Sequence, residues 1–196
     1  MRTIYLPGAS GSASFWQPVA SIVGGDAVML AWPGLGAEPA SASVRSIDDM
    51  LAAVLVELDE PANIVAQSMG GLIAIKAALA RPAMVSKLVL TVTSAGVPVA
   101  DLGGSDWRND YYKAFPAAAR WIADVQEDLS PRLGEIKMPT MLLWGDADPI
   151  SPLAVGERLQ SKIPNATLHI IDGADHDLAL SHSGRVAELI AMHLQA

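Results

Sequence analysis

The feature that most constrains the fold of this 196-residue chain is a series of six short apolar segments separated mostly by helical patterns. Such alternation predicts βαβ units, in which parallel strands form one sheet and helices cover it. The apolar fraction of 51 %, before counting 16 glycines, fits strands that are buried on both faces. The predicted strands are Thr3–Leu6, Ala27–Ala31, Asn63–Ala66, Leu88–Val92, Thr140–Trp144 and Thr167–Ile171.

Three helices have clear signals in the sequence. After Ser46, apolar residues recur at helical spacing through residues 47–58, and Ser46 forms a capping pair with Asp49. Ser151 and Pro152 predict a second helix start, with the serine as the cap and the proline in the first turn. A third apolar stripe lies near the C-terminus and comprises Val186, Leu189, Ile190 and Leu194.

Composition excludes several classes of protein. The length suits a single domain over residues 1–196. No stretch reaches the roughly 18 apolar residues of a membrane span, and no secretory signal is visible, so a cytoplasmic protein is the default expectation. With no cysteine, disulfides, thiolate metal sites and a cysteine nucleophile are excluded. The net charge of −8 and the lack of a Lys/Arg cluster argue against nucleic-acid binding, and no metal-ligand spacing is visible.

One connection between strands is unusually long. Residues 93–139 contain no convincing strand, and long insertions of this kind are often functional lids. We therefore predict that residues 97–137 form a lid insertion together with a crossover helix. The alternative is an ordinary crossover helix with a decorated loop. The segment holds five of the ten aromatic residues, namely Trp107, Tyr111, Tyr112, Phe115 and Trp121.

The most informative segment runs from Asn63 to Ala74, where an apolar strand leads through Ala66-Gln67-Ser68-Met69-Gly70-Gly71 into a helical pattern. This small-x-Ser-x-Gly arrangement predicts a nucleophile elbow, whose sharp turn exposes the Ser68 hydroxyl above the sheet. Larger residues two positions before or after the serine would collide, and here those positions are Ala66 and Gly70. The helix that follows directs its N-terminal amides at developing negative charge.

A serine hydroxyl becomes an effective nucleophile only beside a base, and the base needs an orienting acid. Two later strands end in such groups. Asp146 and Asp148 follow the fifth predicted strand, and Asp175-His176 follow the sixth. Because ligands bind at the carboxyl ends of parallel strands, we predict His176 as the base and an aspartate as its partner.

Three motifs, in this order, resemble the α/β-hydrolase superfamily: the elbow at Ser68, the aspartates after the fifth predicted strand, and His176 after the sixth. The resemblance is specifically to small serine esterase and lipase-like members with a short lid. The resemblance covers nearly the whole chain. It implies an α/β fold with a mostly parallel sheet of about six strands, helices on both faces, and none of the family's two leading strands. In that family a Gly-x-x-Asp after a strand supplies the acid, which maps to Asp148 with Asp146 as its rival. The base maps to His176.

The same resemblance implies an oxyanion hole made of two backbone N–H groups. One would belong to Met69, after the nucleophile, and the other to Ala9, in the loop after the first strand. This sequence has Ala66 where the family usually has glycine, and Pro7 where it usually has histidine. The candidate substrate-binding residues are Ser10, Trp107 and Tyr111.

Three functions are consistent with these residues. The first is hydrolysis of a carboxylic ester or thioester of a small to medium substrate through an acyl-enzyme on Ser68, without cofactor or metal. The second is other serine chemistry on this fold, namely carbon–carbon or amide hydrolysis, acyl transfer or cyanohydrin cleavage. The third is a non-catalytic binding protein on the same scaffold. A homodimer is compatible with a long apolar edge or lid, although the sequence contains no direct signal for one.

Overall fold

The computed structural model describes residues 1–195, and its centre is a six-stranded parallel sheet in the order β2-β1-β3-β4-β5-β6. The strands are β1 (Thr3–Leu6), β2 (Ala27–Met29), β3 (Ala62–Gln67), β4 (Val85–Thr91), β5 (Thr140–Gly145) and β6 (Ala166–Ile171). The helices are α1 (Gln17–Val23), α2 (Ile47–Glu57), α3 (Met69–Ala80), α4 (Arg108–Ala114), α5 (Leu153–Lys162), α6 (Leu178–Ser181) and α7 (Ser183–Gln195). Short 3-10 helices occupy Ala13–Trp16, Ala100–Leu102, Arg120–Asp124 and Ser130–Glu135.

The sheet confirms the predicted fold class. All residues of β3 and β5 are buried, as expected for central strands covered on both faces. The chain first moves from β1 to β2 and then returns past β1 to β3. Right-handed crossovers in opposite directions place α1 and α2 on opposite faces, where α1 packs against α7 and α2 against α3. The reversal between β1 and β3 creates the crevice in which open sheets bind ligands.

The second strand is shorter than the predicted Ala27–Ala31. It ends at Met29, because β1 offers only four residues for pairing and the chain then turns toward the loop after β1. There the Trp32 N–H donates to the Gly11 carbonyl at 2.8 Å. Pro33 follows and has no N–H with which to extend a strand.

Two predicted helix starts have different outcomes. Ser46 caps α2 as predicted, and its hydroxyl accepts the Asp49 N–H at 3.2 Å. The prediction that Ser151 caps α5 is wrong, since the cap position is Pro152 and no side chain caps this helix. The backbone N–H of Ser151 instead donates to Asp148 Oδ1 at 3.0 Å, which holds Ser151 in the preceding turn.

The connection between β4 and β5 contains no strand, in agreement with the sequence pattern. We call residues 97–137 the insertion. Its backbone is joined to two loops at the carboxyl edge of the sheet. The Ser105 N–H donates to the Pro149 carbonyl at 2.7 Å, and the Ala119 N–H donates to the Gly34 carbonyl at 2.8 Å. Every helix within residues 1–195 is too short or too polar to cross a bilayer.

The C-terminal helix α7 provides a pH test of the fold. Burial lowers the pKa of His193 below its ordinary value, and the nearby Lys87 ammonium lowers that pKa further. The unfolded chain therefore binds more protons at this site than the folded protein does below about pH 6.5. We predict that the free energy of unfolding falls as pH drops from 7 to 5, and that His193→Gln makes this fall shallower.

Urea unfolding between pH 5 and 8 measures this dependence. His182→Gln is the matched control, because His182 lies in the turn before α7 and its Nδ1 hydrogen-bonds Ser181 at 2.9 Å. This variant separates the effect of the buried His193 ring from the effect of losing a histidine elsewhere near α7. A His193→Gln variant with an unchanged slope would show that His193 does not drive the pH dependence.

Candidate active site

The backbone of Ser68 is strained at the junction of β3 and α3. Its φ of 52° and ψ of −123° lie in a region that non-glycine residues rarely adopt, at a cost of about 1–3 kcal/mol. Three hydrogen bonds hold it there. Its N–H donates to the Thr91 carbonyl at 2.9 Å, and its carbonyl accepts the Gly71 N–H at 2.9 Å and the Thr93 hydroxyl at 2.5 Å. The turn directs the Ser68 side chain away from the sheet, as the elbow motif predicts.

Thr93 was not identified from the sequence. It lies two residues after β4, is buried, and also accepts the Ala95 N–H at 2.9 Å. The only signal for it is its place just beyond the strand that neighbours the elbow. Gly71 packs directly on this threonine, since a Cβ at residue 71 would lie 2.4 Å from Thr93 Oγ1.

His176 lies between Ser68 and Asp148. Its Nε2 atom is 3.0 Å from Ser68 Oγ, and its Nδ1 atom is 2.8 Å from Asp148 Oδ2. The histidine follows β6 and the aspartate follows β5, so the carboxyl edge of the sheet brings both beside the elbow. With Nδ1–H donated to the carboxylate, Nε2 is free to accept the serine proton.

Of the two rival aspartates, Asp148 contacts His176. Its side chain is fully buried, and its second oxygen, Oδ1, accepts the N–H groups of Ile150 at 2.8 Å and Ser151 at 3.0 Å. These bonds fix the carboxylate and stabilise its charge. Asp146 is exposed and accepts the Gly173 N–H at 2.7 Å, where it joins the loops after β5 and β6.

Ala9 and Met69 border the same cavity as Ser68. Met69 is the first residue of α3, where N–H groups have no partner within the helix. Within residues 1–195, neither the Ala9 nor the Met69 amide donates a hydrogen bond to another protein group. The loop after β1 comes close to the elbow at Gly70, where a Cβ would lie 2.5 Å from the Pro7 carbonyl oxygen.

Gln67 is a second residue that was not identified from the sequence. Its side-chain amide donates to the His176 carbonyl at 3.2 Å, which joins the elbow to the loop of the histidine. A Cβ at Gly8 would lie 2.2 Å from Gln67 Oε1, so the loop after β1 packs against the other end of this amide. The residue before the serine is an unspecified position of the motif, so the motif gives no signal for Gln67.

A cavity of about 800 Å³ opens above Ser68 between the sheet edge and the insertion. The candidate substrate-binding residues Ser10, Trp107 and Tyr111 all line it. Its charged lining consists of three aspartates and one arginine among the described residues: Asp106, Asp110, Asp177 and Arg108. Its apolar lining includes Phe15, Leu72, Val92, Val99, Phe115, Ile122, Val125, Ile150 and Leu180. No three His, Asp or Glu side chains within residues 1–195 are grouped as a metal site would require.

The profile of the alpha/beta hydrolase family matches residues 4–189 of this chain. The chain belongs to the alpha/beta hydrolase family. It is 29 % identical to the 2-hydroxy-6-oxononadienedioate/2-hydroxy-6-oxononatrienedioate hydrolase of Cupriavidus pinatubonensis, in an alignment covering 90 % of this chain and 79 % of that relative.

Solved structures share the fold of this hydrolase. A meta-cleavage product hydrolase from Pseudomonas fluorescens superposes with a TM-score of 0.80 at 18 % identity, covering 100 % of this chain and 90 % of that one. An esterase from Thermogutta terrifontis gives the same TM-score of 0.80 and identity of 18 %, covering 100 % and 89 % of the two chains. At such identity the superpositions establish the fold alone.

The close packing at Gly70 predicts a specific cost. In Gly70→Ala, the new methyl group would overlap backbone atoms of the loop after β1, which cannot move like the end of a flexible side chain. We expect a loss of about 1–3 kcal/mol in the free energy of unfolding. Urea unfolding measures it, with Gly134→Ala as control because a Cβ there would meet no atom within 4 Å beyond its chain neighbours and the backbone of its own helix. Equal stability of the two variants would contradict the close approach.

Proposed function

We propose that this chain is a serine hydrolase that cleaves a carboxylic ester or thioester through an acyl-enzyme on Ser68. The observation that supports this most is the hydrogen-bonded series from Ser68 through His176 to Asp148, with distances of 3.0 and 2.8 Å. Two backbone amides without protein partners, those of Ala9 and Met69, border the same cavity. Together these groups provide a nucleophile, a base, an orienting acid and an oxyanion hole.

In the proposed mechanism His176 Nε2 accepts the proton of Ser68 as Oγ attacks the carbonyl carbon of the substrate. Asp148 holds the ring and stabilises its charged form. The Ala9 and Met69 amides stabilise the oxyanion of the tetrahedral intermediate. His176 then protonates the leaving oxygen or sulfur as its bond to carbon breaks. Water, activated by the same histidine, releases the acid and restores Ser68.

The lining of the cavity favours an uncharged substrate. Its single arginine, within the described residues, is already paired, since Arg108 Nη1 lies 3.0 Å from Asp106 Oδ1. Asp110 is paired as well, with Lys113 Nζ at 3.1 Å, and Asp177 adds negative charge to the lining. A dicarboxylate would find no unpaired cation among these lining residues, whereas an ester with an apolar acyl group fits the hydrophobic walls.

The insertion is proposed to act as a lid. Helix α4 contributes Tyr111 to the cavity wall, and Trp107, directly before α4, lines the same wall. A salt bridge between Asp101 Oδ2 and Arg158 of α5, at 2.6 Å, joins the start of the insertion to the body of the fold. We propose that residues 97–137 thereby cover the site within a single domain, and that ester and water enter beside them.

Carbon–carbon bond hydrolysis is the second candidate. The relative from Cupriavidus pinatubonensis is named for hydrolysis of 2-hydroxy-6-oxononadienedioate, and several other relatives between 26 % and 28 % identical bear the same name. The same serine machinery would serve either bond. The name describes a dicarboxylate, however, and the acidic lining of this cavity favours the ester.

An ester series tests the proposal. We expect wild type to hydrolyse at least one p-nitrophenyl ester between acetate and longer acyl chains, and Ser68→Ala to lose activity by a factor on the order of 10³ or more. 2-Hydroxy-6-oxononadienedioate is assayed in parallel, with its absorbance as the readout. Turnover of this dicarboxylate without turnover of any ester would replace the ester proposal with carbon–carbon hydrolysis.

The two aspartates after β5 provide a matched pair. Asp148→Asn should lower kcat by a factor on the order of 10³ to 10⁴, because it removes the charge that orients His176. Asp146→Asn changes a carboxylate two residues away whose side chain accepts only from Gly173 in the described hydrogen bonds. It should retain kcat within about threefold. Steady-state kinetics on the best ester measure kcat for both variants. Equal losses of kcat in the two would contradict the assignment of Asp148 as the partner of His176.

A further inference from the structure

The hydroxyl of Tyr111 joins three parts of the molecule. It donates to the Ala9 carbonyl oxygen at 2.7 Å and accepts the Gly36 N–H at 2.9 Å. Helix α4 of the insertion is thereby tied to the loop after β1 and to the loop after β2. A phenol has one proton to donate, so this bond leaves none for a substrate. Tyr111 contributes to the cavity wall through its ring and to the loops through its oxygen.

Four consecutive carbonyl groups, from the last residue of β1 into the loop after it, each accept a hydrogen bond. Trp16 Nε1 donates to Leu6 at 3.0 Å, Trp32 Nε1 to Pro7 at 2.7 Å, and the Gly11 N–H to Gly8 at 3.1 Å. Tyr111 donates the fourth bond of this series, to the Ala9 carbonyl, and it is the only one of the four donors that belongs to the insertion. With four consecutive carbonyls held, rotation of the intervening peptide planes is restricted. The Ala9 N–H shares its peptide plane with the Gly8 carbonyl, which the Gly11 N–H holds, and Tyr111 holds the next plane, on the other side of the Ala9 Cα.

The ring of Tyr111 is held independently of its hydroxyl. Its centroid lies 5.4 Å from that of Trp107, 5.1 Å from that of Tyr112 and 5.3 Å from that of Phe115. Such aromatic contacts fix the ring position without a hydrogen bond. Burial raises the pKa of Tyr111 above its ordinary value, so the hydroxyl keeps its proton at neutral pH. Replacement by phenylalanine therefore removes the bond and keeps the packing.

We propose that Tyr111 is a positioning residue for the oxyanion hole. Through the Ala9 carbonyl it fixes the loop whose Ala9 N–H stabilises the oxyanion, so that the hole is fully ordered only when α4 packs over the site. This inference rests on the proposed serine chemistry. Because the amide acts on charge that develops in the transition state, loss of its orientation should lower kcat far more than it raises KM.

Tyr111→Phe tests this inference, with Tyr112→Phe as matched control. The Tyr112 hydroxyl bonds only within the insertion, to the Ala119 and Arg120 carbonyls at 3.3 Å. For Tyr111→Phe we expect kcat on the best p-nitrophenyl ester to fall about tenfold or more, with KM within about twofold of wild type. Tyr112→Phe should keep both constants within about twofold, and the two variants should have similar melting temperatures.

A second readout does not require a substrate that turns over. In this readout Ser68 Oγ bonds to the phosphorus of an alkyl fluorophosphonate and displaces fluoride, while the serine proton passes to His176. The phosphonyl oxygen of the tetrahedral adduct occupies the oxyanion hole, and intact mass follows the labelling rate. Tyr111→Phe should be labelled more slowly by the same factor as its loss in kcat. Labelling and kcat equal to wild type, a loss confined to KM, or an equal loss in Tyr112→Phe would each overturn the inference. A wild type that neither hydrolyses esters nor reacts with the probe would overturn the proposed serine chemistry itself, and this inference with it.

Discussion

The strained backbone of Ser68 is the constraint around which the carboxyl edge of the sheet is built. A positive φ at a serine persists only where neighbours hold it, and here they are the Thr91 carbonyl of β4, the Thr93 hydroxyl just beyond it and the Gly71 N–H of α3. The same tight turn requires close packing on both sides. Gly70 admits the loop after β1, and Gly71 admits Thr93. The elbow therefore packs closely against the loop after β1 and against the end of β4, so a change in one of these segments displaces the others.

The parallel sheet explains why residues far apart in sequence meet at this edge. Ser68 and His176 are 108 positions apart, yet their side chains are 3.0 Å apart, because each follows a strand at its carboxyl end. The reversal of strand order between β1 and β3 opens the crevice beside them. The insertion supplies part of the cavity wall beside them, and the Tyr111 hydroxyl of its helix α4 contacts the loops after β1 and β2.

Much of this arrangement could be predicted from local sequence. The six strands follow from apolar runs, and the elbow follows from small residues around Ser68, because both depend on neighbours along the chain. The contacts that were not predicted are long-range. Thr93, Gln67 and the Tyr111 hydroxyl act on groups between 25 and 109 positions away, and no periodicity or motif records such pairings. The misplaced cap at Ser151 has a local origin, since Asp148, three residues earlier, accepts the Ser151 N–H and holds that turn.

Whether Ser68 is the nucleophile is tested most directly by acid-quenching the protein during steady-state hydrolysis of its best p-nitrophenyl ester. Mass spectrometry then maps the acyl group. We expect one acyl group per chain, on the peptide that contains Ser68. Recovery of the acyl group on another residue would contradict Ser68 as the nucleophile.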